Sequence, residues 1–353
     1  MNSKRIHSLD LLRGIAAFSV AIPHFLTYHG IAVQQLETLS IIGVEIFFVL
    51  SGYVLGPQIL LCVREPKFRN LSIFLMRRWM RTIPPYLIAL SFTAILFGRF
   101  LGREFWLYAF YIQNLASLRH INDYFSIAWS LSIEEWFYLT FPLLLVSLSF
   151  FFSRMNARNL YRICFGYILF FTILRLAHGI NPDWGRDVRR VVIFRVDSIA
   201  YGFLLFLIRK DHFTAKFRNV TLLQGFGWFL VTAALGWSLS AAPGASKVAF
   251  PFLAAAFGML TISLFEAFEP VLSRSRILCK LSAYLAQISY STYLFHLVLL
   301  LALKALPVRL ALGDEFAIFI TVLILFTTAF YFLVEQPVLA ARPSFIRSPQ
   351  WEP

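Results

Sequence analysis

The sequence predicts an all-α, polytopic bundle of transmembrane helices, and three observations carry that reading. Hydrophobic residues make up 59% of the chain and charged residues 14%, against about 45–50% and about 25% in soluble domains. The mean hydropathy is +0.71. Apolar stretches of bilayer-crossing length recur from one end to the other, joined by segments too short for a soluble domain of about 50 residues or more. We read a single integral-membrane domain over 1–353, with short tails at 1–8 and 336–353.

Ten spans are expected, at 9–28, 39–63, 82–97, 128–152, 160–176, 193–208, 221–240, 248–267, 284–303 and 315–334. The stretch 105–118 is apolar but short, the length of an interfacial or re-entrant segment rather than a crossing one. With ten crossings and the N-terminus inside, most of the 32 Lys and Arg residues fall in inner loops, the expected bias for cytoplasmic loops. A crossing at 105–118 would reverse that bias for every later loop. Both termini are therefore expected on the cytoplasmic side.

The net charge of +14 follows from those loops. No basic, aromatic-interleaved soluble segment supports nucleic-acid binding. Cys62, Cys164 and Cys279 are scattered, in neither a metal spacing nor a disulfide framework. The N-terminal apolar stretch has no clear small-residue cleavage site, so we read it as a span rather than a signal peptide.

The first span carries Asp10, Arg13 and His24, and ionisable groups within a span default to function. Arg13 and His24 are eleven positions apart. They lie within roughly 20° of one helix face, about 16 Å apart along the axis. A cation near one membrane surface thus shares a face with an imidazole near the other. In the second span, Glu45 falls in the same outer half as His24, while Ser51, Gly52 and Gly56 read as a packing seam.

Before the third span, Arg78 and Arg81 share a helix face at i, i+3. They suit either anionic lipid or a phosphorylated ligand. In the fourth span Glu134 and Glu135 diverge by about 100°. Glu134 shares its face with Ser130 and Tyr138. The loop before the sixth span is rich in Arg and Asp, and Arg195 and Asp197 enter the membrane from it. His296 reads as a core histidine, and Glu335 as an inner-surface carboxylate with an arginine partner.

In order along the chain, LDLLRG…PH, GVEIFFVLSGYVL, RRWMRTIPPY, AWSLSIEEWFYL, FRVDSIAYG, ISYSTYLFH and LVEQP run from Leu9 to Pro337. Together they resemble the acyltransferase-3 family of bacterial integral-membrane O-acyltransferases, in the stand-alone form without an appended extracytoplasmic domain. The family's arginine–ten residues–histidine signature matches Arg13 and His24, its paired arginines match Arg78 and Arg81, and its serine–leucine–glutamate–tyrosine stretch matches Ser130, Leu131, Glu134 and Tyr138.

The resemblance implies an acyltransferase moving an acetyl or similar short acyl group from cytoplasmic acyl-CoA to a hydroxyl of a cell-surface or lipid-linked carbohydrate. It implies no tightly bound cofactor and no metal, with acyl-CoA as co-substrate. On that basis His24 and Glu134 are the expected catalytic pair, the carboxylate orienting the imidazole. Arg13, Arg78 and Arg81 are expected to hold CoA phosphates. Glu45, Tyr138, Arg195 and Asp197 are expected to face the acceptor. The competing class is a transporter or flippase, or a relay passing acyl groups across the membrane to a separate transferase.

Overall fold

The computed structural model describes residues 5–31, 33–117, 123–151, 155–178, 184–211, 227, 230, 234, 243–305 and 310–345. Helices dominate, and no strand occurs among the described residues. The elements are α1 (His7–Tyr28), α2 (Gln34–Arg64), α3 (Phe68–Leu96), α4 (Arg103–Ala109), α5 (Ala128–Phe151) and α6 (Ala157–Ala177). After a π turn (Trp184–Arg189) come α7 (Val192–Arg195), a 3-10 turn (Val196–Ile199) and α8 (Ala200–Asp211). The chain closes with α9 (Pro243–Leu272), α10 (Arg276–Lys304), α11 (Leu312–Phe330), a π turn (Tyr331–Glu335) and α12 (Gln336–Ala340). Seven described helices are long and apolar enough to cross a membrane. Of the span expected at 221–240, all but 227, 230 and 234 lie outside the described residues.

The centre of the bundle is α1, packed along α10 and α2. Its first turn carries no side-chain cap of its own. The orphan amides are met from another helix instead: Glu269 of α9 accepts from the backbone N–H of His7 at 3.1 Å and of Ser8 at 2.7 Å. A carboxylate at a helix N-terminus also complements the macrodipole.

Small residues let the central helices approach closely. A Cβ on Gly52 of α2 would lie 2.0 Å from the Ile199 carbonyl oxygen, and one on Gly202 of α8 would lie 1.9 Å from that of Val49. The seam read at Gly52 and Gly56 is thus a close contact between α2 and α8, with Phe206 filling the space at Gly56, while Ser51 turns to Glu134 of α5 instead.

The short apolar stretch forms no helix of crossing length. Its helix, α4, has 7 residues and rises about 10 Å, a third of the hydrocarbon core. The irregular backbone that follows is satisfied by its neighbours, as membrane depth demands. Trp136 Nε1 donates to the Tyr111 carbonyl at 2.9 Å. Asn114 Nδ2 donates to the carbonyls of Trp129 at 3.0 Å and Arg190 at 2.6 Å. The Val192 amide returns a bond to the Asn114 carbonyl at 3.0 Å.

The span expected at 193–208 is broken into α7, the 3-10 turn and α8. Two buried ion pairs occupy the break. Arg195 reaches Glu45 of α2 at 2.5 Å, and Asp197 receives Arg175 of α6 at 2.7 Å. These oppositely directed pairs anchor the broken helix to both neighbours, α2 and α6.

Near the other end, Arg77 donates to the Pro343 carbonyl at 2.7 Å and lies over the Phe345 ring. The start of the C-terminal tail is therefore docked on α3. Glu335 is buried and accepts from Ser291 rather than forming an ion pair with an arginine.

Candidate functional site

Two cavities lie end to end along the shared face of α1. The first, at the Arg13 end, is narrow, about 60 Å³. Arg13 enters it from α1, Arg78 and Arg81 from one face of α3, and Glu134 and Tyr138 from one face of α5. The i, i+3 and i, i+4 spacings are what aim each of these pairs the same way. Ser51 of α2 donates to Glu134 Oε1 at 2.5 Å. Three guanidinium groups and one carboxylate leave a cationic excess, suited to an anionic ligand.

The second cavity, at the His24 end, is about 480 Å³. His24, Ser40, Trp129, Arg189 and Arg190 line it. The Arg189 guanidinium stacks over the Trp129 ring at 5.0 Å. Burial, and then the neighbouring Arg190 charge, lower Arg189 to about 10, so it remains a cation at neutral pH. Arg190 pairs with Asp123 at 3.2 Å at the cavity's outer edge. An aromatic face beside cations and hydroxyl groups suits a polar, hydroxylated ligand.

His24 Nδ1 is 2.8 Å from His296 Nε2, and its Nε2 is 3.3 Å from Ser40 Oγ. His296 is wholly enclosed in α10, and its Nδ1 faces the carbonyls of Tyr293 at 2.8 Å and Thr292 at 3.2 Å.

Val44 and Tyr293 line both cavities. They form the septum between them. Tyr293 is fixed there by a 2.6 Å hydrogen bond between its hydroxyl and Ser130 Oγ.

The structure brings Arg13, Arg78, Arg81, Glu134 and Tyr138 together in one cavity and sets His24 in the other. It does not bring Glu134 to His24: the carboxylate lines the arginine cavity, bonded to Ser51. Nor does it bring Glu45, Arg195 or Asp197 to either cavity wall. Glu45 takes Arg195 Nη2 on both of its carboxylate oxygens, and Asp197 is held by Arg175. Buried charges need such partners, and here the partners are protein groups.

Sequence reasoning set His296 aside as a core residue and passed over Ser40. The only sequence signal for His296 is an imidazole in mid-span. Nothing local points Ser40 at residue 24. Among the described residues, no group of three or more His, Cys, Asp or Glu side chains could hold a metal ion.

The comparisons with known proteins follow the same line. A family model described as an acyltransferase domain matches residues 6–335. The chain is similar to the O-acetyltransferase OatA of Staphylococcus aureus strains NCTC 8325 / PS 47, COL and MRSA252, at 29% identity over 224 residues in each. The match covers 58% of this chain and 36% of each relative, so it spans little more than a third of their length. No solved structure matches.

Proposed function

The chain belongs to the acyltransferase-3 family of integral-membrane proteins, and from that membership we propose that it transfers a short acyl group from cytoplasmic acyl-CoA to a hydroxyl of a surface or lipid-linked carbohydrate. The observation that carries the reading is the pair of cavities, one cationic and one holding His24, which share Val44 and Tyr293 as wall residues.

The physical chemistry runs as follows. Arg78 and Arg81, with Arg13, hold the phosphates of CoA by charge-assisted hydrogen bonds. The narrow cavity admits a thin arm rather than a nucleotide, so the nucleotide stays at the mouth and the thioester points to the septum. Glu134 and Tyr138 line that path. The acceptor enters the larger cavity, one sugar face against Trp129 and its polar groups toward Arg189 and Arg190.

His24 is the imidazole there, the side chain most often used as a general base. Its Nε2 removes the proton from the acceptor hydroxyl as the oxygen attacks the thioester carbonyl. The carbon–sulfur bond breaks, an ester forms, and the CoA thiolate leaves with that proton. General-base assistance of this kind is worth about 10²–10⁴-fold. Glu45, Arg195, Asp197 and Arg175 hold the broken helix, and the turn that precedes it supplies Arg189 and Arg190 to the cavity. The site faces away from the cytoplasm, with both termini on the cytoplasmic side of the inner membrane.

The test is acyl transfer in membranes carrying wild-type or His24→Ala protein, using radiolabelled acetyl-CoA and mass spectrometry of the surface glycans. Loss of label and of the acyl increment in the variant is expected. Full transfer by correctly inserted His24→Ala would overturn the reading. Substrate movement without acyl-CoA consumption would identify a transporter instead.

A further inference from the structure

We propose that His296 is the positioning residue of the site: it fixes which nitrogen of His24 carries the proton, and so which one acts as base. The inference rests on the reading of His24 as general base and adds to it the group that orients it.

The argument begins at the enclosed end. His296 Nδ1 faces two backbone carbonyls, of Tyr293 and Thr292. A carbonyl oxygen only accepts, so Nδ1 must carry the hydrogen. A neutral imidazole has one N–H, which leaves a lone pair on His296 Nε2. That nitrogen lies 2.8 Å from His24 Nδ1, a distance short enough to require a hydrogen between them. The donor is therefore His24 Nδ1–H, and the lone pair of His24 falls on Nε2. Nε2 is the nitrogen near Ser40 Oγ, whose hydroxyl can donate to it, and both residues line the larger cavity.

The ring geometry agrees. The two imidazole planes are 15° apart and their centroids 5.1 Å apart. That separation exceeds the N···N distance by the two ring radii, so both nitrogens lie on the line between the ring centres. The contact is an in-plane N–H···N bond rather than a face-to-face stack.

The chain of donors thus runs from His24 through His296 to the α10 backbone, with every position decided by a carbonyl that cannot donate. When His24 Nε2 takes the acceptor's proton, the imidazolium's Nδ1–H remains bonded to a neutral acceptor. No proton moves to His296. A carboxylate in that position, as in the serine-protease triads, would be an uncompensated anion in an apolar core, which is costly. The neutral imidazole performs the orienting role without that cost. Glu134, the carboxylate read from sequence for this task, is bonded to Ser51 in the other cavity.

The test compares His296→Phe, which keeps a flat ring but removes the acceptor, with His296→Gln, whose side-chain carbonyl can accept from His24 Nδ1–H. Acyl transfer is measured in membranes with radiolabelled acetyl-CoA beside His24→Ala as reference. Turnover by His296→Phe should fall about 10²-fold with KM for acetyl-CoA unchanged, while His296→Gln should recover most of it. Wild-type turnover in His296→Phe, with His24→Ala inactive, would overturn the inference and leave the base role standing. So would equal losses in the Phe and Gln variants. Activity surviving in His24→Ala would overturn the base role itself.

A second measurement needs no change at 296. Nitrogen-15 histidine spectra of the wild-type protein, with His24→Ala to assign the signal, should show His24 protonated on Nδ1 and bare on Nε2. The opposite tautomer would refute the proposal.

Discussion

Arg195 bonds to both carboxylate oxygens of Glu45 at 2.5 Å, across 150 residues of chain, with the guanidinium fully enclosed. This pair ties the broken helix to α2. Glu45→Gln leaves a buried cation without its counter-charge, which typically costs 3–5 kcal/mol. The variant should lose most of its folded yield in detergent. Replacing both partners, as Glu45→Leu with Arg195→Met, should restore folding, measured by thermal unfolding and size-exclusion chromatography. Transfer activity should return with the fold, since neither side chain lines a cavity.

Gly202→Ala should be among the most damaging single methyl additions. The new Cβ would sit 1.9 Å from the Val49 carbonyl oxygen and 2.7 Å from the Tyr53 amide nitrogen, both backbone atoms that cannot rotate away. Overpacking of a well-filled core costs typically 1–3 kcal/mol, and more where backbone must shift. Gly166→Ala is the control, because nothing lies within 4 Å of its added Cβ. A thermal midpoint lowered in the first variant and unchanged in the second is the expected outcome.

Arg78→Ala combined with Arg81→Ala should weaken acyl-CoA binding. Each lost charge-assisted bond is worth about 1.5–3 kcal/mol, so the double variant should bind at least roughly tenfold more weakly. Ligand-bound thermal shifts or equilibrium dialysis would measure this. The wild-type affinity should also fall with added salt, and the double variant should show a shallower dependence.

Val44→Trp should close the septum. Val44 is 5% exposed and lines both cavities beside Tyr293. A bulkier ring there blocks the route between them but leaves Arg13, Arg78 and Arg81 untouched. Acyl-CoA should still bind with unchanged affinity while transfer falls tenfold or more, a barrier rise of about 1.4 kcal/mol or above. Loss of both would mean that the substitution disturbs the packing of α2 instead.

What was legible in the sequence is what local spacing encodes. The 3.6-residue period places Arg13 and His24 on one face, pairs Arg78 with Arg81, and pairs Glu134 with Tyr138. The structure keeps all three arrangements, and the small residues at Gly52 and Gly56 do mark a close seam.

What was hidden depends on contacts between distant segments. The partners of Glu45, Asp197 and His24 are Arg195, Arg175 and His296, and no periodicity within one helix names a partner on another. The same limit explains Glu134. Its charge and depth suit a residue that orients a base, but its helix faces the arginines. The break in the sixth expected span was invisible for a related reason: it is held by two side-chain pairs, with no glycine or proline to mark it within 193–199.

The septum has an electrical consequence. On the proposed route the two cavities open to opposite sides of the membrane and thin the insulating layer, so the voltage would drop mainly across what remains beside Val44 and Tyr293. A unit charge moved through that layer would do about 2.3 kcal/mol of work per 100 mV. An acyl group is neutral and crosses at no such cost, whereas a thiolate or an imidazolium crossing there would feel nearly the full field. On the proposed route the membrane voltage is therefore indifferent to the neutral acyl cargo and selective against ions.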